Sequence, residues 1–280
     1  MELSVMLFPF HKDLTERTYS ALGLIEKLYA VGVSALEPML SRIDDAPEVF
    51  AELRAAAAEF DMSYSCLDIG ANLIGESEAD RAAALDTVSR GVDLCVELDC
   101  PVALIPGTRP APGMSNEEGR AIYSQMLARA AERTADSGVT LTIEDFGVTP
   151  QFACHSSHVR EVVVAAGPEI KVTWDNGNFL LADEMPVDAF PPLAARTVHV
   201  HIKDWAPVPA DANRGILTPA GKRWVGAHIG QGHAQVAESL QLLHDDGYDG
   251  WISLEVGFGP PLEAAVIGAN FVTGVWDSLK

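Results

Sequence analysis

Three carboxylates and one imidazole, Glu144, Asp175, His201 and Glu255, each stand near the end of a short run in which polar and apolar residues alternate. In 139–145, Leu141 and Ile143 fall on one face, and Thr140, Thr142 and Glu144 on the other. In 170–175, Ile170, Val172 and Trp174 oppose Lys171, Thr173 and Asp175. In 198–203, Val198, Val200 and Ile202 oppose His199, His201 and Lys203; in 251–256, Ile252, Leu254 and Val256 oppose Trp251, Ser253 and Glu255. A period of two is the signature of a strand. The polar faces are unusual, because strands of a buried parallel sheet ordinarily read as continuous apolar runs. Ionisable groups placed there are costly unless they are paired, hydrogen-bonded or bound to a metal. Three converging carboxylates and an imidazole would force protonation unless a cation joined them. One divalent metal ion resolves the conflict. The oxygen and nitrogen donors suit manganese first, with magnesium, cobalt and zinc also within range. A single strand-end acid is more often a cap, and a lone histidine more often a satisfied core residue. Four in phase on four successive strands argue against both.

The elements that must position these residues are legible along the whole chain. Strand-like runs at 3–8, 33–38, 63–69, 102–106, 139–145, 170–175, 198–203 and 251–256 alternate with longer stretches of helical periodicity. Those stretches cover 14–30, 47–60, 79–98, 116–137, 234–245 and 262–279. Ser115 and Glu118 predict a capping box for the fourth of them, which Gly138 ends. Eight strands in 280 residues leave about 35 residues per unit, enough for a strand and its crossover helix. Strict alternation predicts an α/β fold, a parallel sheet covered by helices. Eight units predict closure into a (β/α)8 TIM barrel, a single domain over residues 1–280. No G-x-G-x-x-G follows the first strand, which argues against an open dinucleotide-binding sheet. In a barrel the carboxyl ends of the strands meet at one mouth, and that is where the four residues would gather. The Pro- and Gly-rich stretch 205–232 reads as an irregular loop over that mouth.

Composition narrows the partners. The chain carries 40 acidic and 19 basic residues, a formal net charge of -21, so binding to nucleic acid or an anionic membrane would need a basic patch. The nearest candidate is Lys222-Arg223, which is too small. No apolar run is long enough for a transmembrane helix, and the first residues do not read as a signal peptide. Four cysteines, Cys66, Cys95, Cys100 and Cys154, form no C-x-x-C pair, so a cytoplasmic protein with reduced thiols is expected.

Several motifs resemble the xylose isomerase-like (β/α)8 barrel superfamily, and within it the sugar phosphate isomerase/epimerase branch. They are T-I-E-D at 142–145, W-D-N-G-N-F at 174–179, H-V-H-I-K-D-W at 199–205 and G-Y-D-G-W-I-S-L-E at 247–255, with a looser G-x-x-x-G-x-G at Gly226, Gly230 and Gly232. The resemblance implies a metal held by Glu144, Asp175, His201 and Glu255, the same four that alternation selects. It implies a small carbohydrate as substrate. Strands three and four end without histidine and the sixth reads Asp175-Asn176-Gly177-Asn178, so the extra ligands of the three-zinc DNA-repair endonucleases are missing. The W-x-E-P-K-P segment of true xylose isomerases is absent as well. Pro207 stands where ketose 3-epimerases have an arginine.

The chemistry expected is isomerisation or epimerisation of a small polyhydroxy ketone or aldehyde. The cation would stabilise an enediolate, one of Glu144 and Glu255 would abstract a proton, and the other would return it. His199, Lys203 and Asn178 are expected to bind substrate, with pairing to Asp204 or Glu255 the alternative for Lys203 and a local backbone turn the alternative for Asn178. Trp205 and Trp224 are candidates for an apolar wall, with packing as the alternative; Glu37 reads as a solvated strand end, or else as a residue bordering the pocket, and His155 and His158 as surface residues. The alternative is a lyase with the same site, dehydrating or cleaving a keto-sugar or keto-glycoside in the manner of inosose dehydratases. A non-catalytic carbohydrate-binding or scaffold barrel is the third reading. The sequence leaves room for a homo-oligomer.

Overall fold

The computed structural model describes residues 1–280. Its strands are β1 (Glu2–Met6), β2 (Val33–Glu37), β3 (Ser63–Tyr64), β4 (Leu67–Asp68), β5 (Val102–Leu104), β6 (Thr140–Glu144), β7 (Lys171–Asp175), β8 (Thr197–Ile202), β9 (Asp204–Val208), β10 (Ile216–Leu217), β11 (Arg223–Ala227) and β12 (Trp251–Leu254). The helices are α1 (His11–Thr15), α2 (Ala21–Tyr29), α3 (Leu40–Asp45), α4 (Pro47–Glu59), α5 (Glu78–Glu97), α6 (Asn116–Arg133), α7 (Pro150–Ala153), α8 (Ser156–Ala166), α9 (Pro186–Ala189), α10 (Val236–Asp245) and α11 (Pro261–Ser278).

Nine strands form one parallel sheet in the order β3-β2-β1-β12-β8-β7-β6-β5-β4. Its two edge strands, β3 and β4, are two halves of the third barrel strand, interrupted at Ser65-Cys66. The gap is spanned by Ser65 N–H donating to the Leu36 carbonyl (3.0 Å), Asp68 N–H to the Pro38 carbonyl (2.9 Å) and a parallel bridge between Met39 and Asp68. The expected eight-unit barrel therefore closes through a broken strand.

Outward faces of the strands carry Val5, Leu36, Ile143, Trp174, Val200 and Leu254, all fully buried against the helices. Burial of an aliphatic side chain of this size contributes about 1.5–3 kcal/mol, so this shell supplies the fold's main stabilisation. Inside the barrel the packing is polar. Ser4 and Ser65 hydroxyls meet at 2.5 Å and Thr142 and Thr173 at 2.8 Å, and all four are shut off from solvent. Each hydroxyl satisfies another, which is the condition for burying them at little cost.

Three local expectations change. The helix read over 14–30 is two helices, because Arg17 turns the chain with φ 59° and pairs with Glu52 on α4. The full capping box lies at Ser77 and Asp80, ahead of α5; at Ser115 only the forward half forms, with its hydroxyl accepting from Glu118 N–H. The stretch 205–232 is not irregular throughout. It holds the antiparallel sheet β10-β11-β9, which leaves the barrel directly after β8.

Candidate metal centre

Strand register brings the four candidate ligands together. Asp175 on β7 stands level with His201 on β8, and Ser253 on β12 stands level with His201 on its other side. Glu144 ends β6, and Glu255 follows β12 with its N–H on the Ile202 carbonyl (3.0 Å). One ligand atom from each of Glu144, Asp175, His201 and Glu255 lies within 4.8 Å of the others. His201 Nδ1 is 3.7 Å from Glu144 Oε2 and 3.8 Å from Glu255 Oε2, and it has no hydrogen-bond partner. Asp175 Oδ2 also makes no hydrogen bond, although the Lys203 ammonium lies 3.1 Å away. Buried polar atoms left this way call for a missing partner. Three carboxylates and an imidazole, so disposed, fit a divalent cation.

Asp175 is held from behind. Asp175 Oδ1 accepts from Gly177 N–H (2.8 Å) and Asn178 N–H (2.9 Å), and its own N–H donates to Asp145 Oδ1 (3.0 Å). The glycine of D-N-G-N is required by close approach: a Cβ on Gly177 would stand 2.3 Å from Lys203 Cγ. Asn176 ties β7 to β8 and to the chain before α10, accepting from Lys203 N–H (2.9 Å) and donating to the Ala234 carbonyl (2.8 Å).

Lys203 is the cation inside the cluster. Its Nζ lies 2.6 Å from Glu255 Oε1 and 3.2 Å from Asn178 Oδ1, and 5.9 Å from the centre of the Trp205 ring. Burial works against its charge, but Asp175, Glu255 and Glu144 outweigh that and raise its pKa. Burial pushes Glu255 up to about 8, with Lys203 opposing the shift.

Beneath the four lies a second buried layer. Glu37 is wholly buried rather than solvated, and its two oxygens are shared between His201 Nε2 (2.8 Å) and His199 Nε2 (3.0 Å). Burial opposes charge on Glu37, but the two imidazoles overcome it and hold the carboxyl well below the usual range. His199 thus faces Glu37, deep in the barrel, while Lys203 and Asn178 stand beside the quartet. Asp68 shares this layer with Glu37 and Cys66, and neither of its oxygens has a partner. Burial, then the charge of Glu37, push its carboxyl well above the usual range. Sequence reasoning missed Asp68, because continuous alternation over 63–69 places it opposite Ser65. The break in the third strand changes the phase.

Asp204, last of the H-V-H-I-K-D run, anchors the wall of the mouth. Its carboxylate accepts from the N–H groups of Trp205 (2.9 Å), Gly230 (3.0 Å), Gly232 (2.8 Å) and Ala234 (2.9 Å). A Cβ on Gly232 would stand 2.3 Å from Asp204 Oδ1, which accounts for the last glycine of G-x-x-x-G-x-G. Trp205 and Trp224 pack near one another with Leu180 and Leu181, and Trp224 is buried. His155 caps α8, and both it and His158 are half-buried.

Against known proteins, the profile of the xylose isomerase-like TIM barrel family matches residues 25–273. The chain belongs to that family. Among curated proteins none matches the sequence. The IolI protein with a bound zinc atom superposes with a TM-score of 0.77 at 17% identity, over 100% of this chain and 99% of that one. The probable 3-DHS dehydratase AsbF of Bacillus anthracis gives 0.75 at 15%, over 98% and 99%. A D-tagatose 3-epimerase-like protein gives 0.74 at 19%, over 100% and 98%. At such identities the likeness speaks for the fold. No helix of the chain is long and apolar enough to cross a membrane.

Proposed function

We propose that this protein is a divalent-metal-dependent isomerase or epimerase of a small sugar or polyhydroxy ketone. Glu144, Asp175, His201 and Glu255 hold one ion, manganese by preference, with magnesium, cobalt or zinc as substitutes. The observation that carries the reading is the convergence of those four ligand atoms, with a buried His201 Nδ1 among them that has no hydrogen-bond partner. The epimerase name among its structural neighbours agrees with it, as does the zinc bound in IolI. The dehydratase name agrees with the lyase reading below.

When bound, such an ion polarises a carbonyl and acidifies the neighbouring C–H. The chain's own residues do the rest. One of Glu144 and Glu255 takes the proton at a carboxylate oxygen, and the other returns it at the adjacent carbon or the opposite face. Lys203 Nζ, fixed by Glu255 and Asn178, offers N–H donors to a substrate oxygen, and Asn178 orients it. Asp175 and His201 hold the ion, and His199 acts on substrate only through the layer beneath. Trp205 and Trp224 form the apolar wall.

The substrate is unphosphorylated in this reading. Barrel enzymes often seat a phosphate on the loops before a late helix. Here Asp204 already takes the N–H groups of Gly230, Gly232 and Ala234 ahead of α10. A lyase is the second reading, favoured by Lys203, whose ammonium offers N–H donors that would stabilise a departing oxygen. Four free, buried cysteines support a cytoplasmic setting.

NMR of free ketoses incubated with the manganese-loaded protein in D2O tests the proposal. Isomerisation or epimerisation incorporates deuterium next to the carbonyl without loss of water; elimination gives a dehydrated or cleaved product. Absence of deuterium exchange across a ketose panel, with less than about 0.2 equivalents of any divalent ion bound, would overturn both readings.

A further inference from the structure

We propose that Glu37 is a positioning residue for the metal centre: it fixes His201 with its proton on Nε2, so that Nδ1 is the nitrogen presented between Glu144 and Glu255. The inference rests on the metal reading above and adds a residue outside the quartet, on a strand three places away around the sheet and 164 positions away in the chain.

The geometry leaves little choice. An ionised carboxylate only accepts hydrogen bonds. Both oxygens of Glu37 are engaged, Oε1 by His201 Nε2 at 2.8 Å and Oε2 by His199 Nε2 at 3.0 Å. Each of those nitrogens is therefore a donor, which leaves the other nitrogen of the ring as the one able to offer a lone pair to a cation. For His201 that other nitrogen is Nδ1, which is buried, makes no hydrogen bond, and lies 3.7 Å and 3.8 Å from two carboxylates. Those distances are too long for hydrogen bonds and suit donors arranged around one cation. The two rings meet edge to face at 87° with centroids 5.3 Å apart, so Glu37 locks both orientations at once. A carboxylate behind a ligating histidine also raises the basicity of the ligating nitrogen.

Replacing Glu37 by glutamine preserves shape and removes this property. An amide has one acceptor oxygen and a donor NH2. One of the two rings must then give up its Nε2 proton and carry it on Nδ1. If that ring is His201, an N–H points at the place of the ion. If it is His199, a buried Nδ1 that has no partner acquires a proton it cannot share.

The test is zinc affinity by chelator competition for wild type and Glu37→Gln, with 15N spectra of the histidine rings in the zinc-loaded, diamagnetic proteins. The expected result for wild type is one zinc per chain, with His201 protonated at Nε2 and ligated through Nδ1. Glu37→Gln should bind about 10–100-fold more weakly. Equal affinity in the two proteins, or zinc on Nε2 of His201 in wild type, would overturn the inference while leaving the metal centre intact. A wild-type protein that takes up no divalent ion overturns the functional reading and this one together. If circular dichroism shows Glu37→Gln unfolded, the ring assignment in wild type decides alone.

Discussion

Asp175 and Asp204 flank the same mouth and are both buried, yet they are different kinds of carboxylate. Asp204 is saturated: four backbone N–H groups fill its two oxygens. It needs no cation, and it converts a glycine-rich segment into a fixed wall. Asp175 uses one oxygen in the same manner, on Gly177 and Asn178, and turns the other toward the Lys203 ammonium at 3.1 Å and the ligand atoms of Glu144, His201 and Glu255. The difference separates structural acids from functional ones more sharply than burial does. A carboxylate whose acceptors are all answered by the backbone holds the fold, whereas one held by the backbone on one side and facing side-chain charges and ligand atoms on the other is prepared for a ligand.

Substitutions on the two sides of this comparison should fail in different ways. The largest effect is expected on the open side. Glu255→Gln should lower the rate of substrate deuterium exchange by about 10²–10⁴-fold, the range for loss of a general acid or base. Its circular dichroism should match that of wild type. Exchange near the wild-type rate would show that Glu255 transfers no proton.

On the saturated side, Asp204→Asn should cost stability first. Asparagine keeps one acceptor oxygen and sets an NH2 against two of the four N–H donors. Losing two charge-assisted bonds costs about 3 kcal/mol, or about 5 °C in melting temperature for a chain of this length, with metal added or absent. An unchanged melting temperature would refute the distinction drawn here.

Chelation should then act on one side only. At 100 times its Kd a bound ion stabilises by about 2.7 kcal/mol, and EDTA should remove that amount from wild type. It should remove a similar amount from Asp204→Asn, since sites that share no partner add. In Glu255→Gln, which lacks one of the four ligands, the drop should be smaller. Equal EDTA effects in all three proteins would mean that the ion binds elsewhere.

The open side was the more legible one in the sequence. Glu144, Asp175, His201 and Glu255 announce themselves because polar residues at a period of two contradict a buried parallel strand, and strand continuity preserves that phase through β6, β7, β8 and β12. The layer beneath was harder to read. Glu37 closes β2 after apolar residues and resembles a solvated strand end, since its partners, His199 and His201, lie more than 160 positions away. Asp68 was hidden by the break between β3 and β4, which no residue type in 63–69 signals. The helix break after α1 depends on a non-glycine residue, Arg17, at positive φ, and its stabilising contact to Glu52 is tertiary. The sheet of β9, β10 and β11 was obscured by its own prolines and glycines, whose loop-like composition is compatible with short, exposed edge strands.

The smallest effect belongs to an unsatisfied group with no ligand to expect. His158, on α8, has a buried Nδ1 without a partner. Burial lowers its pKa below 6.5, assisted by the charges of Arg120 and His155, with Glu161 and Glu117 opposing. An unfolded chain would then take up the proton first as pH falls. The stability this group contributes is complete above the unfolded value of about 6.5 and is lost as pH falls through the depressed folded value. The side chain is partly exposed, so solvent screening keeps the effect small. Melting temperature should fall between pH 7 and pH 5 more steeply in wild type than in His158→Gln, by about 1 °C. Metal addition should leave that difference unchanged. A steeper fall in His158→Gln would reverse the sign argued here, and a difference that disappears with metal would connect His158 to the mouth after all.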